Sequence, residues 1–216
     1  ADINLIDQQN TYVSIINNSI INSRISMPHS DFDIIYDHVI LKLTGLAPEL
    51  SYHSVDHTID VIRHAERIAK EEGINETELY LLKVAALYHD TGFLETYAEH
   101  EKKSCAIFLE DSVQFKFNDP EKELILDIIM ATKVPQKPRT LLQKIICDAD
   151  LDYLGRNDFQ EISIRLKNEF LHYGVVADET DWKKLQLKFL KDHHFHTRSS
   201  LLQREPVKLK NLSKLH

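Results

Sequence analysis

The run Leu81-Leu82-Lys83-Val84-Ala85-Ala86-Leu87-Tyr88-His89-Asp90-Thr91-Gly92-Phe93 constrains this chain more than any other stretch. Stepping back from His89 at helical spacing meets Ala86, Ala85 and Leu82, so the imidazole continues the stripe that faces the core. An aspartate follows it directly. Burying an unpaired carboxylate costs several kcal/mol, and a bound cation is the direct way to offset it. Gly92 is placed to end the helix, whose C-terminal carbonyls carry partial negative charge that also favours a cation. The competing reading is a hydrogen-bonded histidine beside an exposed aspartate at a helix end.

The rest of the chain reads as helix. Of 216 residues only 5 are Gly and 6 are Pro, too few for a turn-rich β protein. With 43% hydrophobic and 28% charged residues, the chain has the composition of an ordinary globule with one core. Asp31 can cap a helix to about Leu46, broken by Gly45 and Pro48. A second helix follows Ser51-Tyr52-His53 and ends near Gly73, with His57, Val61, His64, Ala65 and Ile68 on one stripe. Asn75 and Glu78 form a capping box for the helix that carries His89. Further helices are expected from about Thr96 to Leu109, from Asn118 to about Lys133, and over 139–154, 158–172, 180–194 and 197–214, with Pro206 kinking the last. The expectation is an all-α, single-domain bundle of about eight to ten helices. It covers residues 31–216, with a site-bearing core over about 50–155 and C-terminal helices over 157–216. Residues 1–30 have no clean period and read as an arm or weak helix.

Charge and cysteine usage narrow the partners. A net charge of −8 disfavours a nucleic-acid-binding surface. The basic residues of the C-terminal tail, Arg198, Arg204, Lys208, Lys210 and Lys214, read as a solvated helix face. Cys105 and Cys147 lack CxxC spacing and read as reduced core residues. Neither a spanning apolar run nor a secretory leader is evident, so the cytoplasm is the expected location and no membrane partner is expected.

His57, His89, Asp90 and an aspartate of Asp148-Ala149-Asp150 each lie on or beside a helix with an apolar stripe, and can converge inside a bundle. Two imidazoles and two carboxylates suit one divalent ion: Mn, Mg, Fe, Co, Ni or Zn. Water on such an ion yields a hydroxide nucleophile near neutral pH. The ordered set His57, His89-Asp90, Asp150 resembles the HD-domain superfamily of metal-dependent phosphohydrolases, over roughly residues 50–155. The resemblance rests also on Tyr52-His53 with His57-Thr58, on Ala85-Ala86-Leu87-Tyr88-His89-Asp90-Thr91-Gly92, and on Asp148-Ala149-Asp150-Leu151-Asp152. It implies an all-α fold and a divalent metal held by His57, His89, Asp90 and Asp150. Periodicity leaves Asp148 and Asp150 open; the family's Ala-Asp pair falls on Ala149-Asp150, although the following leucine is one place early.

The Tyr52-His53-x-x-x-His57 segment is similar to that of cyclic-nucleotide phosphodiesterases, in which the first histidine protonates the leaving oxygen. By that likeness His53 is the general-acid candidate, against a structural hydrogen-bonding role. Lys133 is a candidate cation for a substrate phosphate, against a solvated lysine at a helix end. His64 lies two turns beyond His57, roughly 10 Å along the axis, too far to share its ion, and reads as structural. His100 is the one histidine between Asp90 and Asp150, which disfavours a two-metal site, although His100-Glu101 can still sit near the first ion. The cluster His193-His194-Phe195-His196 lacks a carboxylate or cysteine at ligand spacing and reads as a helix end meeting solvent.

The leading expectation is therefore a mononuclear metal-dependent phosphohydrolase acting on a small phosphoester or phosphoanhydride, a nucleotide or cyclic nucleotide by the resemblance. A homodimer is left open. The competing class is a non-catalytic metal- or nucleotide-binding sensor, and a third is a two-iron oxygenase. The Gly-Tyr-Pro motif of cyclic-dinucleotide-cleaving relatives and the Glu-Asp pair of alarmone hydrolases are both absent.

Overall fold

The computed structural model describes residues 31–215, so the expected N-terminal arm lies outside the described residues. The chain divides into two units, residues 1–34 and 35–216. Among the described residues there are ten α-helices, two short 3₁₀ turns and no strand. The helices are α1 Asp31–Leu43, α2 Val55–Glu71, α3 Glu76–Tyr88, α4 His100–Asp111, α5 Asp119–Ala131, α6 Leu141–Asp150, α7 Phe159–His172, α8 Glu179–Asp192, α9 Arg198–Gln203 and α10 Glu205–Ser213. The 3₁₀ turns, Thr91–Leu94 and Asp152–Gly155, follow α3 and α6 directly.

Helix α3 is the centre. Leu79, Leu81, Leu82 and every residue from Val84 to Tyr88 are buried, the mark of a helix enclosed on all sides. It packs against α2 and α5, while α2 also packs against α6. Helix α2 is amphipathic and buries Thr58, Val61, Ile62, Ala65, Ile68 and Ala69. Local chemistry fixes the starts of these elements. Asn75 accepts from the Glu78 N–H, and reciprocal capping boxes open α5 (Asn118, Glu121) and α6 (Thr140, Gln143).

Three boundaries differ from the sequence reading. Helix α4 begins at His100, after Glu99 in a left-handed conformation (φ 55°), and not at Thr96. Pro206 divides the last expected helix into α9 and α10, since proline is accommodated in the first turn of α10. Gly92 does not cap α3. The helix ends at Tyr88, and Gly92 sits within the 3₁₀ turn, where a Cβ would meet the His100 carbonyl oxygen at 2.0 Å. Its value is close backbone approach.

The C-terminal helices are fastened to the site-bearing part of the fold. Asp148, fully buried, accepts from the His196 and Thr197 N–H groups (2.8 Å each) and from the Thr197 hydroxyl (2.7 Å). The Asn211 amide donates to the carbonyls of Leu154 and Arg156 at 3.1 and 2.9 Å. The basic tail is thus only partly a solvated face: Lys208 is 1% exposed and pairs with Glu205, and Arg204 pairs with Asp152. No described helix is long and apolar enough to cross a membrane.

Candidate metal centre

The end of α3 delivers its imidazole in a fixed pose. His89 is completely buried, and its Nδ1–H donates to the Ala86 carbonyl at 2.7 Å. That bond sets the tautomer and leaves the Nε2 lone pair pointing onward. Asp90 then turns out of the helix (φ −110°, ψ 5°). Ser104 on α4 secures the turn by accepting from the Gly92 N–H (2.8 Å) and donating to the His89 carbonyl (2.7 Å).

His57 enters from the first turn of α2, whose N-cap is Ser54, and Asp150 is the last residue of α6. His57 Nε2 lies 3.4 Å from Asp90 Oδ2 and 3.2 Å from Asp150 Oδ1. His89 Nε2 lies 3.1 Å from Asp90 Oδ2 and 3.7 Å from Asp150 Oδ1. Adjacent donors on one transition-metal ion, each about 2.1 Å from it, stand roughly 3.0–3.4 Å apart, which is the range of the three shorter separations. The buried atoms His57 Nε2, His89 Nε2 and Asp90 Oδ2 have no hydrogen-bond partner. Orphaned donor atoms converging on one point are what a cation site presents. Among the described residues, His57, His89 and Asp90 form the one group of three or more such side chains close enough to hold an ion.

The electrostatics agree with that fit. Burial opposes charge on His57, but Asp150 and Asp90 outweigh it and raise its pKa to about 9. Burial likewise opposes the Asp90 anion, yet His89, His100 and His57 hold its pKa well below the usual carboxylate range. Asp150, also buried, is brought down to about 2 by His57 and His89. The carboxylates therefore stay ionised and supply a negative site.

Next to the cluster is a second arrangement. His53 lies just ahead of α2, not within it, with its ring 5.9 Å from that of His57. It stacks on Phe93, which in turn stacks on His100, at centroid separations of 4.2 and 3.9 Å. His53 Nδ1–H donates to Glu169 of α7, a carboxylate with no solvent exposure. Glu169 also accepts from the N–H groups of Tyr52 (2.9 Å) and His53 (3.1 Å) and from the Tyr97 hydroxyl (3.0 Å). His100 Nε2 stands 3.4 Å from Asp90 Oδ1, the oxygen that faces away from the two imidazoles of the cluster.

The remaining candidates lie elsewhere. Lys133 is 40% exposed and pairs with Glu99 at 2.8 Å, so the structure does not bring it into the cluster. Asp148 is occupied by the C-terminal segment, as described. His64 sits between Asp60, Asp152 and Arg156 in an ion-pair network. The C-terminal histidines form no ligand group, and they do not simply meet solvent: both ring nitrogens of His193 are buried, and burial lowers its pKa to about 3.

Residues 54–152 match the HD domain family. That segment of the chain is similar to HD domains. The matched span begins at the N-cap of α2 and ends two residues after Asp150, so it encloses His57, His89, Asp90 and Asp150 and implies divalent metal binding. The same fold occurs in a Lactobacillus plantarum protein solved as a structural-genomics target, with TM-score 0.59 and 20% identity over 87% of this chain and 95% of that one. It occurs also in Bacillus subtilis YpgQ, solved in complex with ADP, with TM-score 0.58 and 19% identity over 86% and 93%. No curated protein matches the sequence.

Glu169 escaped the sequence reading, as did Ser104 and Phe93. The signal for Glu169 was present: it falls seven residues after Ile162 and three after Leu166, in register with an apolar stripe, where a carboxylate is out of place. Nothing local marks Ser104 or Phe93, whose roles depend on the 3₁₀ turn bringing α3 and α4 together.

Proposed function

We propose that the chain is a metal-dependent phosphohydrolase acting on a phosphoester or phosphoanhydride. The observation that carries this reading is the set of buried, unpartnered donor atoms of His57, His89 and Asp90, with Asp150 beside them. In this reading those four residues hold one divalent ion. Such an ion, when bound, makes water acidic and draws charge from a phosphoryl oxygen. Asp90 and Asp150 supply the negative charge that retains it, and the Ala86 carbonyl keeps His89 in the ligating tautomer. His53 serves as general acid. Glu169 fixes its Nδ1–H, which leaves Nε2 to carry a proton to the leaving oxygen. Lys133 can assist only by exchanging Glu99 for substrate phosphate.

Nucleotides are the first substrates to assay, since the HD resemblance points to them and a similar fold, YpgQ, was solved with ADP. The test is phosphate or nucleoside release from mono-, di-, tri- and cyclic nucleotides and simple phosphoesters, with Mn²⁺, Mg²⁺, Co²⁺ or Zn²⁺, before and after EDTA. Metal-dependent turnover of at least one substrate is expected. Tight nucleotide binding without turnover on any metal would instead support a sensor.

A further inference from the structure

A cavity of about 320 Å³ opens on the metal centre, bordered there by His53, Asp90, His100 and Asp150. It runs between the 3₁₀ turn after α6 and helices α7 and α8, and its far walls are Leu154, Phe170, Val175, Trp182, Leu185 and Phe189. The size is within the ~300–1,000 Å³ of small-molecule sites. Its chemistry is unusual for a site reading a polar substrate. Beside the metal end lie Glu101, Tyr52 and Tyr153, with the Tyr52 hydroxyl donating to the Asp150 carbonyl at 3.4 Å. Further in, the polar side chains are Gln186, the Trp182 indole and Thr132, whose hydroxyl donates to the Ile129 carbonyl at 2.8 Å. A separate, smaller cavity of about 180 Å³ meets the cluster at His57 and Asp150 and is edged by charged groups, among them Asp60, Arg156 and Arg165. The centre thus has one charged approach and one apolar chamber.

We infer that the part of the substrate carrying the reactive phosphate is apolar, an alkyl or aryl group seated in the chamber formed by the 3₁₀ turn, α7 and α8. This rests on the phosphohydrolase reading above and narrows its substrate class. In the phosphohydrolase reading the phosphate would be drawn to an ion held by His57, His89, Asp90 and Asp150, and because Asp90 and Asp150 border the chamber, a chain attached to that phosphate would enter it directly. Hydrocarbon burial drives such binding without any directional contact. A nucleobase brings several donors and acceptors, and of the far-wall side chains Gln186 and the Trp182 indole alone carry polar groups to meet them, so each unmet one weakens binding.

Trp182, the chain's one tryptophan, lines the chamber and reports on it directly. Full-length protein with Mg²⁺ is titrated with methyl-, butyl-, hexyl- and octylphosphonate while Trp182 emission is followed, and phosphate release from the matching alkyl phosphates and from AMP is measured in parallel. The expected result is a Trp182 emission change that saturates at lower concentration as the chain lengthens, by about three- to fourfold per methylene while the chain still fits. Release from octyl phosphate should then exceed release from AMP. Leu185→Asp, at a half-exposed wall position, should flatten the chain-length dependence. Equal affinity for methyl- and octylphosphonate, no Trp182 response to the longer chain, or AMP as the better substrate overturns the inference. Loss of release from every substrate, with chain-length-dependent Trp182 binding intact, overturns the phosphohydrolase reading and keeps the apolar site.

Discussion

Two clusters of histidine and aspartate lie along α2 and past the end of α6, and they differ in one respect. In the first, His57 and His89 meet Asp90 and Asp150, and among the described residues no Lys or Arg pairs with either carboxylate. In the second, His64 meets Asp60 and Asp152, and three arginines enter. Arg67 and Arg204 reach Asp152 Oδ1 at 2.9 and 2.8 Å, and Arg156 reaches Asp60 at 2.6 Å. His64 Nε2 accepts from Arg156 at 2.7 Å, so Nδ1 carries the proton and faces Asp152 at 3.3 Å. The second cluster is neutralised from within the chain and holds α2, the turn after α6 and α9 together. The first has only imidazoles beside its carboxylates and no lysine or arginine, which is what the metal reading calls for. In this molecule the arginines mark the structural cluster, and their absence marks the candidate metal site.

That contrast can be broken in a graded way. Asp90→Ala should abolish metal retention and reduce any metal-dependent turnover to below about one-thousandth, equivalent to some 4 kcal/mol of barrier. Its metal-free fold should survive with a moderate fall in Tm, because His57, His89 and His100 lose a shared carboxylate while Asp150 loses a like-charge neighbour; loss of the folded state would show Asp90 to be structural. Asp152→Asn should do the reverse. Removing the Asp152 carboxylate leaves Arg204 without an acidic partner and Arg67 with Glu71 alone. Breaking a buried pair in this way costs about 3–5 kcal/mol in chemical denaturation, while metal content at low temperature is unchanged.

Smaller effects test the arrangement beside the metal. Glu169→Gln should lower kcat by roughly 10- to 100-fold, as expected when the group that orients a functional histidine is lost, with KM changing little. Burial opposes ionisation of Glu169, but His53 and the N–H groups of Tyr52 and His53 keep its pKa below the ordinary value. Its contribution to stability is therefore present above about pH 4.3 and is lost as pH falls through the depressed folded value. Denaturation of the Glu169→Gln variant between pH 5 and 3 should accordingly fall less steeply than that of the unaltered chain. The smallest effect is expected for Lys133→Ala. If its ammonium stays with Glu99, both kcat and KM on phosphoesters remain within about twofold, as for a surface pair; a tenfold rise in KM would restore it as a phosphate contact.

The all-helical fold and the ordered ligand candidates were readable because both have a local period: the stripe of α3 runs into His89, and the capping chemistry of Asn75 and Asn118 marks where helices start. The choice between Asp148 and Asp150 was not readable, since both flank the same stripe of α6. Tertiary packing separates them, with Asp148 accepting from the His196 and Thr197 N–H groups and Asp150 ending the helix beside His57. Gly92 was legible as a special position but not for the right reason. A glycine that allows a close approach by His100 looks in sequence like a glycine that ends a helix. The arginines of the second cluster come from positions 67, 156 and 204, so the neutralisation that separates His64 from His57 depends on contacts no local pattern contains.

Metal content, measured by elemental analysis on chain loaded with Mn²⁺ or Zn²⁺ and then freed of loose ions, tests the central claim most directly when Asp90→Ala and Asp152→Asn are measured beside the unaltered chain. The account predicts about one equivalent per chain for the unaltered protein and for Asp152→Asn, and none for Asp90→Ala. One equivalent retained by Asp90→Ala, or none in the unaltered chain, would contradict it.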